Sequence, residues 1–158
     1  MRPSDRGYVE SVLCFVRESG RLLLIRKRRG LGAGKINGPG GKLEPGESRP
    51  AAAVRETEEE IGVTPTGLRE AGELWFDFAD GFRLHCAVFT AEGRIGEPHE
   101  TEEAFPFWCA EDALPYPEMW ADDAHWLPLM LEGKRFEGRF RFDGDTMLFK
   151  DVRILENP

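Results

Sequence analysis

The chain has 158 residues, 41% hydrophobic and 32% charged, the profile of an ordinary water-soluble globular protein long enough for one proper core. Its 29 acidic and 21 basic residues give a net charge of −8, which argues against a protein that wraps DNA or RNA with a basic face. A small polyphosphate ligand stays open, because a divalent cation can supply the missing positive charge.

The opening residues, MRPSDRGYVE, are polar and lack the apolar core of a signal peptide, and no later run is long enough to span a membrane. Residues 12–17 and 22–28 are β-like runs joined by Glu18, Ser19 and Gly20, a plausible hairpin. A loop over 30–41 follows, with six glycines in twelve positions. It leads into the first clear helix, with Ser48 as N-cap, Pro50 in the first turn and Gly62 as the stop. Strand candidates at 73–79 and 82–90 flank the Asp80-Gly81 turn, and 105–109 is a short strand. A second helix is expected over 122–131, with Pro128 kinking it or confined to its early turns. A last pair, 139–142 and 147–155, surrounds Asp143-Gly144-Asp145. Strands before and after the first helix predict an α+β domain over 1–158, a mixed central sheet with helices on its faces. Cys14, Cys86 and Cys109, odd in number and widely spaced, are expected as buried free thiols, which suits the cytoplasm.

The first helix carries the chemistry. Glu56, Glu59 and Glu60 stand at i, i+3 and i+4 and crowd one side, while Ala53, Val54, Thr57 and Ile61 form the stripe to be buried. Such like charges repel, and the run is either a solvated acidic face or the binding place of a hard divalent cation with oxygen ligands. Mg²⁺ is the natural candidate, with Mn²⁺ the alternative. Arg55 pairs locally with Glu59 or reaches back to Glu47, orienting a carboxylate. Taken together, Gly41, Glu47, Arg55, Glu56, Glu59, Glu60 and Gly62 read G-x5-E-x7-R-E-x-x-E-E-x-G. In this pattern the chain resembles the Nudix hydrolases, whose fold is an α/β/α sandwich.

The resemblance implies that Glu56, Glu59 and Glu60 are metal ligands, joined by the Gly40 carbonyl and an acid from a later loop. Glu103 matches that acid, with Glu100 and Glu102 beside it. Metal-activated water would then attack phosphorus with Glu56, Glu59 or Glu103 as base. Thr57 departs from the family's usual aliphatic residue; its methyl can pack while its hydroxyl bonds back to the helix. The glycine loop lacks the Ser or Thr that a Walker loop requires after its Gly-Lys. Its glycines let backbone approach phosphate and metal, and Lys27, Gly40, Gly41 and Lys42 are candidate phosphate contacts.

Beyond the motif, KRRGLGAGKINGPGGKLEPGE, AGELWFDF, PEMWADDAHWLPLML and KRFEGRFRF resemble the MutT-homologue branch that hydrolyses oxidised purine nucleoside triphosphates. That likeness places Asn37, Trp120, Asp122 and Asp123 around a purine. A Trp face stacks on a base, and an Asn amide offers a paired donor and acceptor. Two adjacent desolvated carboxylates can keep one proton between them and so read either tautomer of 8-oxo-guanine or 2-hydroxy-adenine. Helix capping is the alternative role for the aspartates. Phe76, Phe78 and Phe142 are expected as pocket walls. Ile36 and Leu31 stand where the branch has aromatic residues, and the first strand offers no clear match for its base-side Thr.

The expectation is therefore a monomeric pyrophosphohydrolase acting on a small nucleotide, with no nucleic-acid polymer or membrane as partner. The alternatives are a Nudix hydrolase of ADP-ribose or a dinucleotide, and a silent nucleotide-binding module.

Overall fold

The computed structural model of the protein describes residues 7–155. The reading of the first six residues and the outer bounds of the expected 1–158 domain lie outside them. Alternation builds strand β1 (Val9–Glu18), with Val12, Cys14 and Val16 on one face and Leu13 and Phe15 on the other. Ser19 and Gly20, at φ 53° and 73°, are both left-handed, and this tight turn returns the chain into β2 (Arg21–Lys27).

The glycine run is less irregular than its composition suggests. It contains β3 (Ile36–Asn37), paired with β2, and β4 (Gly40–Lys42), paired with β1. Strands of two and three residues are too short to leave a periodic signal.

Helix α1 (Arg49–Ile61) starts where the Ser48 hydroxyl accepts the Ala51 N–H at 3.2 Å, and it stops on left-handed Gly62. It buries Ala52, Ala53, Thr57 and Ile61; Val54 is only half-buried, so the apolar stripe is rotated slightly from the expected one. The Thr57 hydroxyl donates to the Ala53 carbonyl at 2.8 Å, which satisfies it inside the core.

Strands β5 (Thr64–Phe78) and β6 (Arg83–Ile95) run longer than the sequence pattern indicates, because a bulge between Glu70 and Gly72 breaks the alternation. After β7 (Ala104–Ala110), α2 (Asp123–Leu131) keeps Pro128 inside it. Burial of Trp126, Leu127 and Met130 outweighs the proline's poor propensity. The hairpin β8 (Arg135–Asp143) and β9 (Thr146–Leu155) completes the described chain.

The sheet order is β3-β2-β1-β6-β5-β8-β9, with β4 on β1 and β7 on β2. The β1–β6 and β5–β8 pairs are parallel and the others antiparallel, so the sheet is mixed, as expected. One core, around Val12, Cys14, Ile25 and Phe89, lies under α1. The other, around Phe15, Leu74, Trp126 and Phe136, lies under α2. The result is an α+β sandwich. Cys14 and Cys86 are buried free thiols, whereas Cys109 is half-buried. No helix among the described residues is long and apolar enough to cross a membrane.

Beneath β1, β5 and β6, His85 is buried with Nδ1 2.9 Å from the Glu10 carboxylate and Nε2 2.8 Å from Glu73. Its ring stacks on Trp75 at 4.8 Å. Burial opposes its charge, but the hydrogen bonds to Glu73 and Glu10 prevail and raise its pKa. A raised histidine pKa stabilises the fold below the unfolded value and loses that contribution as pH rises through the folded one. The stability advantage of the wild type over His85→Gln should therefore shrink as pH rises above about 6.5 and through the raised folded value. Urea unfolding of both proteins across that range tests it, and a constant difference would refute the charged bridge.

Candidate active site

At the carboxylate helix, Arg55 is the hub. Its Nε and Nη2 grip the two Glu47 carboxylate oxygens at 2.7 and 2.9 Å. Nη1 donates to Glu56 at 2.8 Å and Glu59 at 3.2 Å, and Nη2 also donates to the Lys42 carbonyl at 3.0 Å. Both local partners read from the sequence, Glu47 and Glu59, are engaged. The guanidinium's hydrogen bonds hold the Glu47 pKa down at about 2.

The three glutamates are not equivalent. Glu59 is exposed, Glu56 half-buried, and Glu60 only 7% exposed. Burial pushes the Glu60 carboxyl up to about 8, against the Gly40 N–H that donates to it at 3.2 Å, and the nearby Glu56 charge pushes it further the same way. Gly41 leaves room for Glu56, since a Cβ there would stand 2.5 Å from the carboxylate carbon. Gly40 is as constrained, its hypothetical Cβ lying 2.1 Å from the Val12 carbonyl oxygen.

Glu56, Glu59, Glu60 and Glu103 line one cleft with Lys27, Arg29, Gly30 and Gly40. Glu103 faces it, 3.2 Å from Arg29, whereas Glu100 pairs with Arg28 and Glu102 with Arg29, neither lining it. Among the described residues no three of these groups converge into a ready-made ligand set. Glu56 is held by Arg55 and Glu60 by the Gly40 N–H. The donor chemistry still fits a hard cation, being all oxygen with an excess of negative charge at a partly buried place.

A second cleft of about 350 Å³ adjoins the first on the α2 face of the sheet and shares Lys27, Gly30, Gly40 and Glu60 with it. Asn37, Gly41, Lys42, Phe76, Phe78, Trp120, Asp122 and Asp123 line it. Phe142 does not. It lies behind the wall, edge-on to Trp120 at 5.3 Å and stacked with Phe78 at 5.8 Å, because its strand position points into the core.

Asp122 and Asp123 are each 2% exposed. Asp122 occupies the N-cap place of α2 without capping it; its carboxylate accepts the Trp126 indole N–H at 2.7 Å instead. Burial raises the Asp122 pKa to about 6. Burial, then the Asp122 charge and a hydrogen bond between the two carboxyls, raises that of Asp123 further. Burial and mutual repulsion thus favour a proton kept within the pair. Asp123, which lines the cleft, has its Oδ2 buried without a hydrogen-bond partner.

An independent comparison bears on this constellation: the NUDIX domain pattern matches residues 7–130. The chain belongs to the Nudix hydrolase family. It is 44% identical over 137 residues to an oxidized purine nucleoside triphosphate hydrolase of Danio rerio, covering 86% of this chain and 88% of that one. To the protein of that name in Mus musculus it is 39% identical over 147 residues, covering 92% and 94%. Among solved structures, the MutT protein of Bacillus halodurans superposes with a TM-score of 0.80 at 26% identity, covering 95% of this chain and 99% of that one. Nudix hydrolases generally use divalent metal ions.

The cleft of this Nudix hydrolase also includes Ser11, Leu13, Leu84, Cys86 and Phe82, which sequence reasoning missed. The first four were within reach of it. Ser11 and Leu13 alternate on β1, as Leu84 and Cys86 do on β6, so each pair shares the face that bears the site. Phe82, in the turn between β5 and β6, left no such signal.

The raised Glu60 pKa has a thermodynamic consequence. An acid whose folded pKa is raised destabilises the fold once the unfolded chain ionises, above about pH 4.5. Glu60→Gln should therefore stabilise the cation-free protein by roughly 2 kcal/mol at neutral pH. The gain should fade as pH falls through about 4.5. Urea unfolding in chelator checks this, and equal stability at neutral pH would contradict it.

Proposed function

We propose that this Nudix hydrolase cleaves oxidised purine (deoxy)nucleoside triphosphates, of the 8-oxo-dGTP and 2-hydroxy-dATP type, to the monophosphate and pyrophosphate. In the cell it would remove damaged precursors from the nucleotide pool. The observation that carries this reading is the buried Asp122–Asp123 pair within an aromatic cleft that opens directly onto the carboxylate helix. The names of the fish and mouse relatives support it.

Asp122 and Asp123 take the base edge, one carboxyl donating and the other accepting, while the Asn37 amide reads a further edge. Trp120 stacks on the ring, and Phe76 and Phe78 exclude water around it. Lys27 and Lys42 flank the path from this cleft to the glutamates and hold phosphate oxygens. Glu56, Glu59, Glu60, Glu103 and the Gly40 carbonyl hold Mg²⁺, or Mn²⁺ in its place. When bound, the cation supplies charge neutralisation and Lewis acidity at phosphorus. Arg55 keeps Glu47, Glu56 and Glu59 in register. Either Glu59 or Glu103, the more exposed carboxylates, would accept the proton of the attacking water. One chain builds the whole cleft, which suits a single-domain monomer, and the free thiols suit the reducing cytoplasm.

Pyrophosphate release with Mg²⁺ across 8-oxo-dGTP, 2-hydroxy-dATP, dGTP, dATP and ADP-ribose tests the assignment. The oxidised purines should give the highest kcat/KM; parity with dGTP would remove the sanitation role, and preference for ADP-ribose would replace the substrate. Glu59→Gln and Glu60→Gln should each lower kcat by about two or more orders of magnitude in a folded protein. Near-normal turnover in both would overturn the metal site.

A further inference from the structure

Glu103 is the one carboxylate of the proposed cation site that α1 does not carry, so its loop must be registered against the helix from outside. An α-helix ends in backbone carbonyls that find no partner within it. At the end of α1 the loop before β7 meets two of them. The His99 N–H donates to the Ile61 carbonyl at 3.0 Å, and the Thr101 hydroxyl donates to the Glu60 carbonyl at 2.6 Å. The same hydroxyl oxygen accepts the Glu103 N–H at 3.1 Å. A single atom, Thr101 Oγ1, therefore joins the backbones of two proposed ligands, Glu60 and Glu103. Only a group that both donates and accepts can stand there; a carboxylate would accept alone, and an aliphatic side chain would do neither.

The other flank of Glu103 is fixed as well. The Arg28 N–H donates to the Glu103 carbonyl at 3.0 Å, and the Arg28 guanidinium donates to the Thr101 carbonyl at 2.8 Å. The Thr101 N–H closes the turn on the Ala104 carbonyl at 3.0 Å. Arg28 thus ties the loop to the end of β2, and Thr101 ties it to the helix that bears the other glutamates. The Glu103 side chain then faces the acidic cleft beside Arg29.

We propose that Thr101 is a positioning residue for the cation site: its hydroxyl bridges Glu60 to Glu103 and so places the Glu103 carboxylate within reach of the cation that the α1 glutamates hold. The inference rests on the reading of Glu103 as a metal ligand. Thr101 acts through the backbone and contributes no ligand of its own. A small hard cation demands close and regular oxygen positions, and a site loosened by about half an ångström binds poorly. A helix cap alone accounts for the bond to Glu60 and for a loss of stability when it is removed. It predicts no change in cation affinity that depends on Glu103.

Mn²⁺ binding to the nucleotide-free protein, followed by loss of the free-ion electron paramagnetic resonance signal, tests the bridge. Thr101→Val keeps the shape of the side chain and removes the hydroxyl; it should weaken Mn²⁺ binding roughly tenfold. Thr101→Ser keeps the hydroxyl and should restore the wild-type affinity. Binding is compared under conditions where urea unfolding shows every variant fully folded, so that a lost cap does not enter. In a Glu103→Gln background, Thr101→Val should have no further effect, because the carboxylate it positions is gone. Wild-type affinity in Thr101→Val, no recovery in Thr101→Ser, or an equal loss in the Glu103→Gln background overturns the inference. Glu103→Gln alone separates it from its premise. If that variant binds Mn²⁺ as the wild type does, Glu103 is not a ligand and the premise falls. If it weakens binding while Thr101→Val does not, only the role of Thr101 falls.

Discussion

The structure turns on one close approach, the seating of the Gly40–Gly41 backbone between β1 and α1. Side chains are excluded on both sides, by the Val12 carbonyl at one glycine and the Glu56 carboxylate at the other. Because that strand is bare, the glutamates of α1 reach past the sheet edge, and Glu60 meets the Gly40 N–H. Arg55 then locks the arrangement by binding the Lys42 carbonyl on the same strand and three carboxylates at once. The backbone geometry and the charge network thus specify each other, and neither makes sense without the other.

Electrostatics divides the site into two unlike halves. On the α1 side, excess negative charge is partly buried and crowded, a state that a hard cation relieves. On the α2 side, two carboxyls are almost wholly removed from water, which raises both pKa values and favours keeping a proton within the pair. The same functional group is thus set in two unlike environments, one suited to a cation and the other to a proton. Placed on one face of the sheet, the two sets would repel each other.

Much of this was legible in the sequence where local rules operate. Helix α1 was readable because Ser48, Gly62 and the i, i+3, i+4 glutamates each leave a local mark. The first hairpin was readable as two β-like runs around Glu18, Ser19 and Gly20, and β1 and β2 form there. What failed depended on the third dimension. Strands β3 and β4 exist through pairing, not propensity, and the extension of β5 was hidden by its bulge. Helix capping was the alternative reading of the aspartates; the fold shows Asp122 turned to Trp126 instead. Phe142 and Phe78 sit on adjacent strands in register, yet one lines the cleft and the other supports it, a difference of depth that no one-dimensional pattern records.

The meeting of the two clefts at Lys27, Gly30, Gly40 and Glu60 also bears on how such a protein changes over generations. In the proposed reading the reacting end is built from the end of β2, the glycine loop, β4, α1 and the loop before β7, while the recognising end is built from β1, β5, β6 and the segment leading into α2. A substitution at Phe82, Cys86 or Leu84 alters the shape offered to a ligand without touching a glutamate. Drift at the recognising end can therefore explore new ligands while the reaction stays intact. Four shared residues form the narrow seam between the two ends, and a redesign of one end that spares them leaves the lining of the other in place.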